Sequence, residues 1–333
     1  MTETALQANL VSGLSGDDRV LPFRTADPNI KGRLVRLGPC VDTILKRHAY
    51  PEKVSEVLAQ AIALTAMLGA SLPEGGKLSL QARTDGPLSF IFIDLEAGGL
   101  MRATASFNAA RVEEFSKAGA GHSQGALLGV GHMALTVEPG EGKDRSQGIV
   151  ALDGGTLTAA AQAYFKQSEQ LPTYIRLAVA KHFVAGSPGA GPAWSWRAGG
   201  LMVQHLQRLL DEDGVTGPEL HEGPEPEDGH VPEVNDDWNS VRVLAATVED
   251  HELLDPELAP DRLLYRLFQE PGVRVFAARP LAVHCRCSRE RVEAFLKSFG
   301  REQLTGMNEA DGKIAVTCEF CSTTYRFDPE SLE

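Results

Sequence analysis

Four of the five cysteines lie in the last 49 residues of this 333-residue chain, in two close pairs. One residue separates Cys285 from Cys287, two separate Cys318 from Cys321, and 30 residues lie between the pairs. Two thiol pairs flanking a segment long enough to fold between them are typical of a four-thiolate metal site. Because a module of about 50 residues is near the size at which an apolar core alone becomes marginal, a bound metal would supply folding free energy.

Zinc is the metal that this spacing favours, with one ion per chain bound by the four reduced thiols. Iron–sulfur clusters usually use other spacings, and disulfides are a less favoured resting state because cytosolic thiols stay reduced. His284 precedes the first pair and is expected to be a neighbour of the site, not a ligand. The isolated Cys40 is expected to be a small buried or semi-buried packing residue and not a reactive one.

Three roles for this metal remain open from the residues alone. A structural role is the commonest at such sites. Nucleic-acid binding is disfavoured, because the chain from residue 285 onward has seven Lys and Arg against nine Asp and Glu and no basic stripe. A redox switch is the third role, since metal-bound thiolates react with oxidants and each pair is close enough in sequence to form a local disulfide that ejects the metal.

The segment between the two pairs predicts a short helix followed by a strand. Ser288 suits the cap of this helix and Gly300 its end. Ile314–Thr317 predicts a strand that leads into Cys318. The apolar helix residues expected to face inward are Val292, Phe295, Leu296 and Phe299.

Before this module, the apolar pattern predicts an α+β fold. Helical spacing covers 51–68 and 156–170. Alternating or continuous apolar runs predict strands at 78–82, 88–95, 100–107, 132–137, 148–152, 174–180 and 200–206. Strands in succession with irregularly interposed helices indicate a mixed, mainly antiparallel sheet domain. Trp194 and Trp196 are expected to pack or to anchor a loop.

The acidity of the chain is concentrated in one stretch. Of the 45 Asp and Glu, 11 lie between Asp211 and Trp238, where there is no Lys or Arg. This stretch has few large apolar residues and is predicted to be a disordered insert. The predicted division is a loose leader (1–30), a core domain (31–210), the acidic insert (211–237), a helical linker (238–280) and a zinc-binding redox-switch domain (281–333).

Charge and hydropathy exclude several classes of protein. A net charge of −13 argues against a broad nucleic-acid or membrane surface. No apolar run reaches the ~18 residues of a membrane span, and the N-terminus lacks a signal-peptide pattern, so we expect a cytoplasmic protein. The glycine-rich stretch 118–131 lacks a Walker lysine and a dinucleotide fingerprint. No catalytic set forms in sequence around His122 or His132, and we expect no enzyme activity.

Several segments carry a resemblance to a known family. The cysteine pairs, with their flanking residues, resemble those of the heat-shock protein 33 family of redox-regulated holdase chaperones. The resemblance extends from about residue 30 to the end, in the same order. Its segments are GRLVRLG (32–38), ILKRHAYP (44–51), RTDGPLSF (83–90), YFKQSEQLPT (164–173), AGGLMVQHL (198–206), CRCSRER (285–291) and DGKIAVTCEFC (311–321).

The resemblance implies a mechanism. The reduced, zinc-bound form is inactive, and oxidants form disulfides that by position are Cys285–Cys287 and Cys318–Cys321. Zinc then leaves, the module and linker unfold, and exposed apolar surface binds unfolding client proteins without ATP; the activated chaperone can dimerise. Two other classes stay open from the residues: a thiol–disulfide oxidoreductase using the second pair, which lacks the expected βαβ context, and a zinc-dependent interaction module.

Overall fold

The computed structural model describes residues 16–117, 123–140, 144–185, 191–206, 236–300, 303–304, 306–309 and 311–332. Within these residues the strands are β1 (Arg19–Thr25), β2 (Ile30–Leu37), β3 (Lys77–Thr84), β4 (Leu88–Glu96), β5 (Leu100–Phe107), β6 (Val130–Glu138), β7 (Ser146–Asp153), β8 (Thr173–Val184), β9 (Ala193–His205), β10 (Val273–Val275), β11 (Arg279–Pro280), β12 (Ala282–Val283), β13 (Ile314–Thr317) and β14 (Thr324–Phe327). The helices are α1 (Pro39–His48), α2 (Glu52–Gly69), α3 (Ala109–Lys117), α4 (Gln124–Leu128), α5 (Leu157–Gln167), α6 (Asp236–Ala246), α7 (Asp250–Leu254), α8 (Pro260–Phe268) and α9 (Arg289–Leu296), with a 3-10 turn at Pro329–Leu332.

The strands form two large sheets and one small one. The first sheet has the order β10-β1-β2-β9-β8, with β11 also paired to β1, and the second has the order β12-β5-β4-β3-β6-β7. Every strand pair is antiparallel except β12 with β5. The predicted α+β class with a mainly antiparallel sheet is therefore confirmed. No helix among the described residues is both long enough and apolar enough to cross a membrane.

Helix α2 lies at the centre of the core domain. Of its residues, 13 are buried, and they are distributed around the whole helix. A helix that is apolar on all sides has to be enclosed, and α2 contacts both β2 and β9 of the first sheet and β3, β4 and β5 of the second. The predicted helix over 51–68 corresponds to this element, and its apolar excess reflects burial between two sheets.

The outer face of the first sheet is covered by the linker helices, α6, α7 and α8. A second apolar cluster joins these helices to β1, β2 and β9. Phe268 of α8 stacks on Phe23 of β1 with ring centroids 5.3 Å apart. A Cβ on Gly32 would lie 2.1 Å from the Phe23 ring, so glycine in the GRLVRLG segment gives this ring its place. The regularly spaced apolar residues predicted after residue 238 thus form the helix faces that pack on the core domain.

Three expectations require correction. The prediction of a loose leader through residue 30 is wrong from Asp17 onward, because Asp17 forms a buried ion pair with Arg197 and β1 pairs with β2. The linker predicted over 238–280 is not helical throughout, since β10 and β11 add to the first sheet. Of the acidic insert, Asp236 and Asp237 begin α6, whereas residues 211–235 lie outside the described residues.

The C-terminal residues 285–332, which we call the cysteine module, have a small apolar core of their own. Helix α9 starts after Ser288, whose hydroxyl oxygen accepts a hydrogen bond from Arg291 N, as predicted. Phe295 was expected to face inward but is 60% exposed, because it lies at the margin of the helix face that carries Leu296. The buried residues of this core are Leu296, Leu304, Ile314, Phe327 and Leu332.

Candidate metal centre

The four predicted thiols come together in the cysteine module. Their sulfur atoms all lie within 4.8 Å of one another. Sγ–Sγ distances are 3.4 Å for Cys285–Cys287, 3.6 Å for Cys285–Cys318 and 3.3 Å for Cys287–Cys321. No pair is at disulfide distance among these residues, and all are free thiols.

The chain delivers these thiols on two short turns. Cys285 and Cys287 follow β12, and the capped start of α9 comes directly after them. Cys318 follows β13, and a turn closed by Ser322 N donating to Cys318 O at 2.8 Å returns the chain to β14. Ser322 has a φ of 56°, so this turn uses the left-handed region to point both sulfurs inward.

The surroundings of the sulfur atoms shift the pKa values of Cys285 and Cys321 in opposite directions. Burial is the largest contribution at Cys285 and raises its pKa to about 12. At Cys321 burial opposes ionisation, but hydrogen bonds with Thr323, Cys287 and Cys285 outweigh it and lower the pKa to about 7. Without a metal, Cys321 is therefore the more readily ionised of these two thiols.

The cluster fits a four-coordinate metal. Four sulfur ligands about 2.3 Å from a tetrahedral ion lie about 3.8 Å from one another, close to the measured separations. Thiolate sulfur is the donor that soft or borderline ions such as zinc prefer. His284 is exposed and lies outside the cluster of possible ligands within the described chain. The four cysteines could therefore hold a metal ion without another residue.

The residues between the cysteines contact the core domain. Arg286, inside the first pair, forms an ion pair with Asp94, and its Nε lies 3.0 Å from Glu96 Oε1. Phe320, inside the second pair, lies edge-on to Phe92 and under the guanidinium of Arg102, 4.1 Å from the ring centroid. We call Phe92, Asp94, Glu96 and Arg102 the docking face. Each cysteine pair thus presents its intervening residues to strands β4 and β5.

His48, the last residue of α1, makes a further connection. Its Nε2 lies 3.2 Å from Phe320 O, and its Nδ1 lies 3.0 Å from Ser322 Oγ. A carbonyl oxygen only accepts, so Nε2 carries the proton and, in the neutral ring, Nδ1 accepts from the serine hydroxyl. The imidazole also stacks on Tyr50, at a centroid distance of 4.9 Å. One core side chain therefore contacts the turn that carries the second cysteine pair.

We expect His48→Ala to loosen the contact between the cysteine module and the core without unfolding either. Two neutral hydrogen bonds are lost, at about 1 kcal/mol each. Hydrogen exchange of the amides of residues 318–323 should accelerate roughly tenfold or more. His182→Ala, at an exposed position on β8, is the matched control. Equal exchange rates in both variants would show that the His48 contacts do not stabilise this turn.

Two buried arginines join the linker helices to the first sheet. Arg36, 1% exposed, donates from Nε to Leu253 O at 3.1 Å and from Nη2 to Glu252 O at 3.0 Å, and Nη1 bonds to Leu258 O. Arg197 donates to Leu254 O at 2.6 Å. The last carbonyls of a helix lack intrahelical partners, so these guanidinium groups satisfy the end of α7.

The remaining candidates from the sequence have ordinary structural places. Cys40 is buried and its thiol donates to Leu281 O at 3.4 Å, while burial raises its pKa far above the usual range. Trp196 is buried and Trp194 is 58% exposed. His132 is exposed on β6, and His122 lies outside the described residues.

Sequence reasoning did not identify the docking face, His48 or the two buried arginines as functional. Arg36 and His48 lie in segments GRLVRLG and ILKRHAYP, so their neighbourhoods were marked by the resemblance. No local signal marked Arg36, because β2 carries three cations, Lys31, Arg33 and Arg36, of which only Arg36 is buried.

Together, the fold and the thiol cluster define a class of protein: a two-sheet α+β domain connected through helices and short strands to a small module built on four cysteines. The family model described as Hsp33 protein matches residues 18–328. The chain belongs to the Hsp33 family, and this membership supports a chaperone function.

Similar proteins extend over nearly the whole chain. The protein named 33 kDa chaperonin of Caulobacter vibrioides is 38% identical over 313 residues, covering 94% of this chain and 95% of that protein. A protein of the same name from Ectopseudomonas mendocina is 34% identical over 311 residues, covering 93% and 92%. The crystal structure of the 33 kDa chaperonin of Thermotoga maritima matches with a TM-score of 0.67 at 20% identity, covering 95% and 96% of the two chains. The last likeness concerns the fold.

Proposed function

We propose that this protein is an oxidation-activated holdase, a chaperone that binds unfolding proteins without turnover. Its reduced form is inactive and binds one zinc ion through Cys285, Cys287, Cys318 and Cys321. The observation that carries the proposal is the position of these thiols: the residues between them, Arg286 among them, contact the core domain directly. When bound, zinc supplies folding free energy to a module with only a small apolar core.

The proposed activating step is the oxidation of both thiol pairs. As each S–S bond forms, its two thiolates lose two electrons; one hydrogen peroxide accepts the electrons, takes up two protons from solvent and leaves as two waters. The proposed pairs are Cys285–Cys287 and Cys318–Cys321. The sulfurs of Cys287 and Cys321, 3.3 Å apart, are as close as those of Cys285 and Cys287 at 3.4 Å. The proposed pairing therefore rests on the family resemblance and on proximity in sequence.

Oxidation is proposed to release the module from the core. Disulfide formation removes the ligand set, and without it the small module unfolds by linkage. Unfolding separates Arg286 from Asp94 and Phe320 from the docking face. The cysteine module is then no longer attached to the core beside β12, the strand that pairs with β5 and connects the module to the linker.

The proposed client surface is the contact between the linker helices and the first sheet. If the linker helices separate from the first sheet, apolar side chains on both become exposed. Each Å² of apolar surface exposed to water costs about 25 cal/mol of hydrophobic free energy. Unfolding proteins expose the same kind of surface, so the two can associate. The buried side chains concerned include Leu21, Phe23, Leu34, Leu201, Leu263, Leu264, Leu267 and Phe268.

The test of this proposal combines disulfide mapping with an aggregation assay. The reduced full chain is treated with peroxide under mild heat, digested without reduction, and analysed by mass spectrometry. We expect the two proposed local disulfides, together with suppressed aggregation of a thermally unfolding client. Cys40→Ala is the matched control and should behave as the parent. Cross-linked pairs such as Cys287–Cys321, or local disulfides without client protection, would refute the proposal.

We further propose a cytoplasmic location and unfolded polypeptides as the partners. A resting state with reduced cysteines fits a reducing compartment, and the family supports the binding of clients. Dimerisation of the oxidised form is proposed on the family resemblance, and sedimentation of the oxidised chain at increasing concentration tests it.

A further inference from the structure

Three cations form a row across one end of the first sheet. Arg274 of β10 lies opposite Arg24 of β1, and Arg24 lies opposite Lys31 of β2. Because adjacent strands are about 4.8 Å apart, the three Cα atoms extend over about 10 Å. Like charges at directly paired positions destabilise a sheet. The row is therefore unfavourable unless an anion compensates for it.

This row borders an open groove of about 530 Å³, which we call the basic groove. Arg33 and Arg279 also line it, so four cations line one space, and Arg274, paired with Arg24, is a fifth cation next to them. Phe276 lines the groove too, with the Arg274 guanidinium 5.5 Å from its ring centroid. No carboxylate of the described chain lines the groove.

The five cations have no acidic partner within the part of the chain that the structure describes. None takes part in the ion pairs found there. The contacts of Arg33 are neutral, with Ser71 Oγ at 2.7 Å and Gln204 Oε1 at 3.5 Å. In a chain with a net charge of −13, a concentration of positive charge without an acidic partner among the described residues stands out.

The electrostatics of the groove agree with mutual repulsion. Burial, followed by the charges of Arg33 and Arg24, lowers the pKa of Lys31. Burial, followed by the charge of Arg279, lowers the pKa of Arg33 to about 10. Arg33 remains cationic at neutral pH, and neither side chain has a counter-charge among the described residues. An anion in the groove would be attracted by all five groups at once.

We propose that the basic groove binds a short linear oligophosphate. Guanidinium groups match phosphate oxygens in paired hydrogen bonds, and the lysine adds a point charge. A row about 10 Å long suits several linked phosphates better than a single one. The site is separate from the thiols, and its ligand binding does not require their oxidation.

Such a ligand would join the core to the linker. Arg24, Lys31 and Arg33 belong to the core strands, whereas Arg274 and Arg279 belong to β10 and β11. Neutralising the repulsion across this junction stabilises the pairing of β10 with β1. The amide of Phe276, which donates to Pro22 O at 2.9 Å, reports on that pairing.

The test titrates the reduced full chain with sodium tripolyphosphate at low salt by calorimetry. We expect saturable binding of one ligand per chain that weakens as NaCl is raised, and slower hydrogen exchange of the Phe276 amide. The double variant Arg24→Gln/Lys31→Gln should bind about 100-fold more weakly, since two charge-assisted contacts are lost. Its Tm should be unchanged or higher, because repulsion is removed with the charges.

The control is the double variant Lys166→Gln/Arg242→Gln, which removes the same charge at exposed positions outside the groove. It should bind tripolyphosphate as the parent does. Absence of saturable binding to the parent chain, or equal weakening in both double variants, would overturn the proposal. Tighter binding of a polyglutamate peptide than of tripolyphosphate would also overturn it, by assigning the groove to acidic polypeptide.

Discussion

Replacing Cys318 with serine is expected to abolish metal binding and to unfold the cysteine module while the two large sheets remain folded. Among its described residues, the module buries five apolar side chains in its own core. Structural zinc sites supply about 10 kcal/mol or more of apparent free energy at neutral pH, which a core of this size does not replace. A serine hydroxyl is a poor substitute for a thiolate ligand, so one change should suffice.

The measurements are the zinc content per chain and hydrogen exchange across residues 285–332. Cys318→Ser should have less than one-tenth of the parent's zinc, and the amides of β13 and β14 should exchange freely. Cys40→Ala serves as the control, because Cys40 lies in the core domain, outside the thiol cluster, and its thiol donates to Leu281 O. One retained zinc per chain with protected β13 amides would contradict the four-thiol site.

Replacing Arg36 with methionine is expected to release the linker helices from the first sheet without any oxidation. The change removes the donors to the carbonyls of Glu252, Leu253 and Leu258. Acceptors left buried without a partner, after loss of contacts to a charged group, cost about 3–5 kcal/mol in total. If the linker covers the client surface, reduced Arg36→Met protects clients that the reduced parent does not.

The control for this variant contacts the same helix at the surface. Arg176 pairs with Asp250 of α7 at 2.7 Å, and both side chains are substantially exposed. Exposed ion pairs contribute about 0–1 kcal/mol, so Arg176→Met should leave amide protection in α6–α8 nearly unchanged. Unaltered protection of these helices in Arg36→Met, or unfolding of the whole core domain, would count against a specific attachment of the linker by Arg36.

The sequence predicted features that depend on local pattern. The cysteine spacing predicted the cluster because each pair is held by one turn. Alternating apolar residues predicted β3, because a strand has one buried face, and a largely apolar run predicted β4. Strand β1 was not predicted, because its sequence RVLPFRT contains a proline and has no strong alternation of apolar and polar residues. Its pairing with β2 and with the later β10 is a tertiary property.

Contacts between distant segments were outside the reach of the sequence pattern. His48 and Ser322 are 274 residues apart, and Arg36 lies more than 200 residues before α7. Nothing local distinguishes Arg36 from Arg33 three residues earlier, yet one satisfies buried carbonyls and the other lines an open groove. The clustering of the four cysteines was therefore predictable from their spacing, whereas the contacts that connect them to the core required the three-dimensional structure.

The most direct test follows metal release and client protection in the same sample. The reduced, zinc-loaded full chain is exposed to peroxide under mild heat, with a chromogenic chelator reporting free zinc and light scattering reporting client aggregation. We predict that one zinc per chain is released and that protection of the client rises on the same time course. Release of zinc without protection, or full protection while zinc stays bound, would contradict an oxidation-activated holdase.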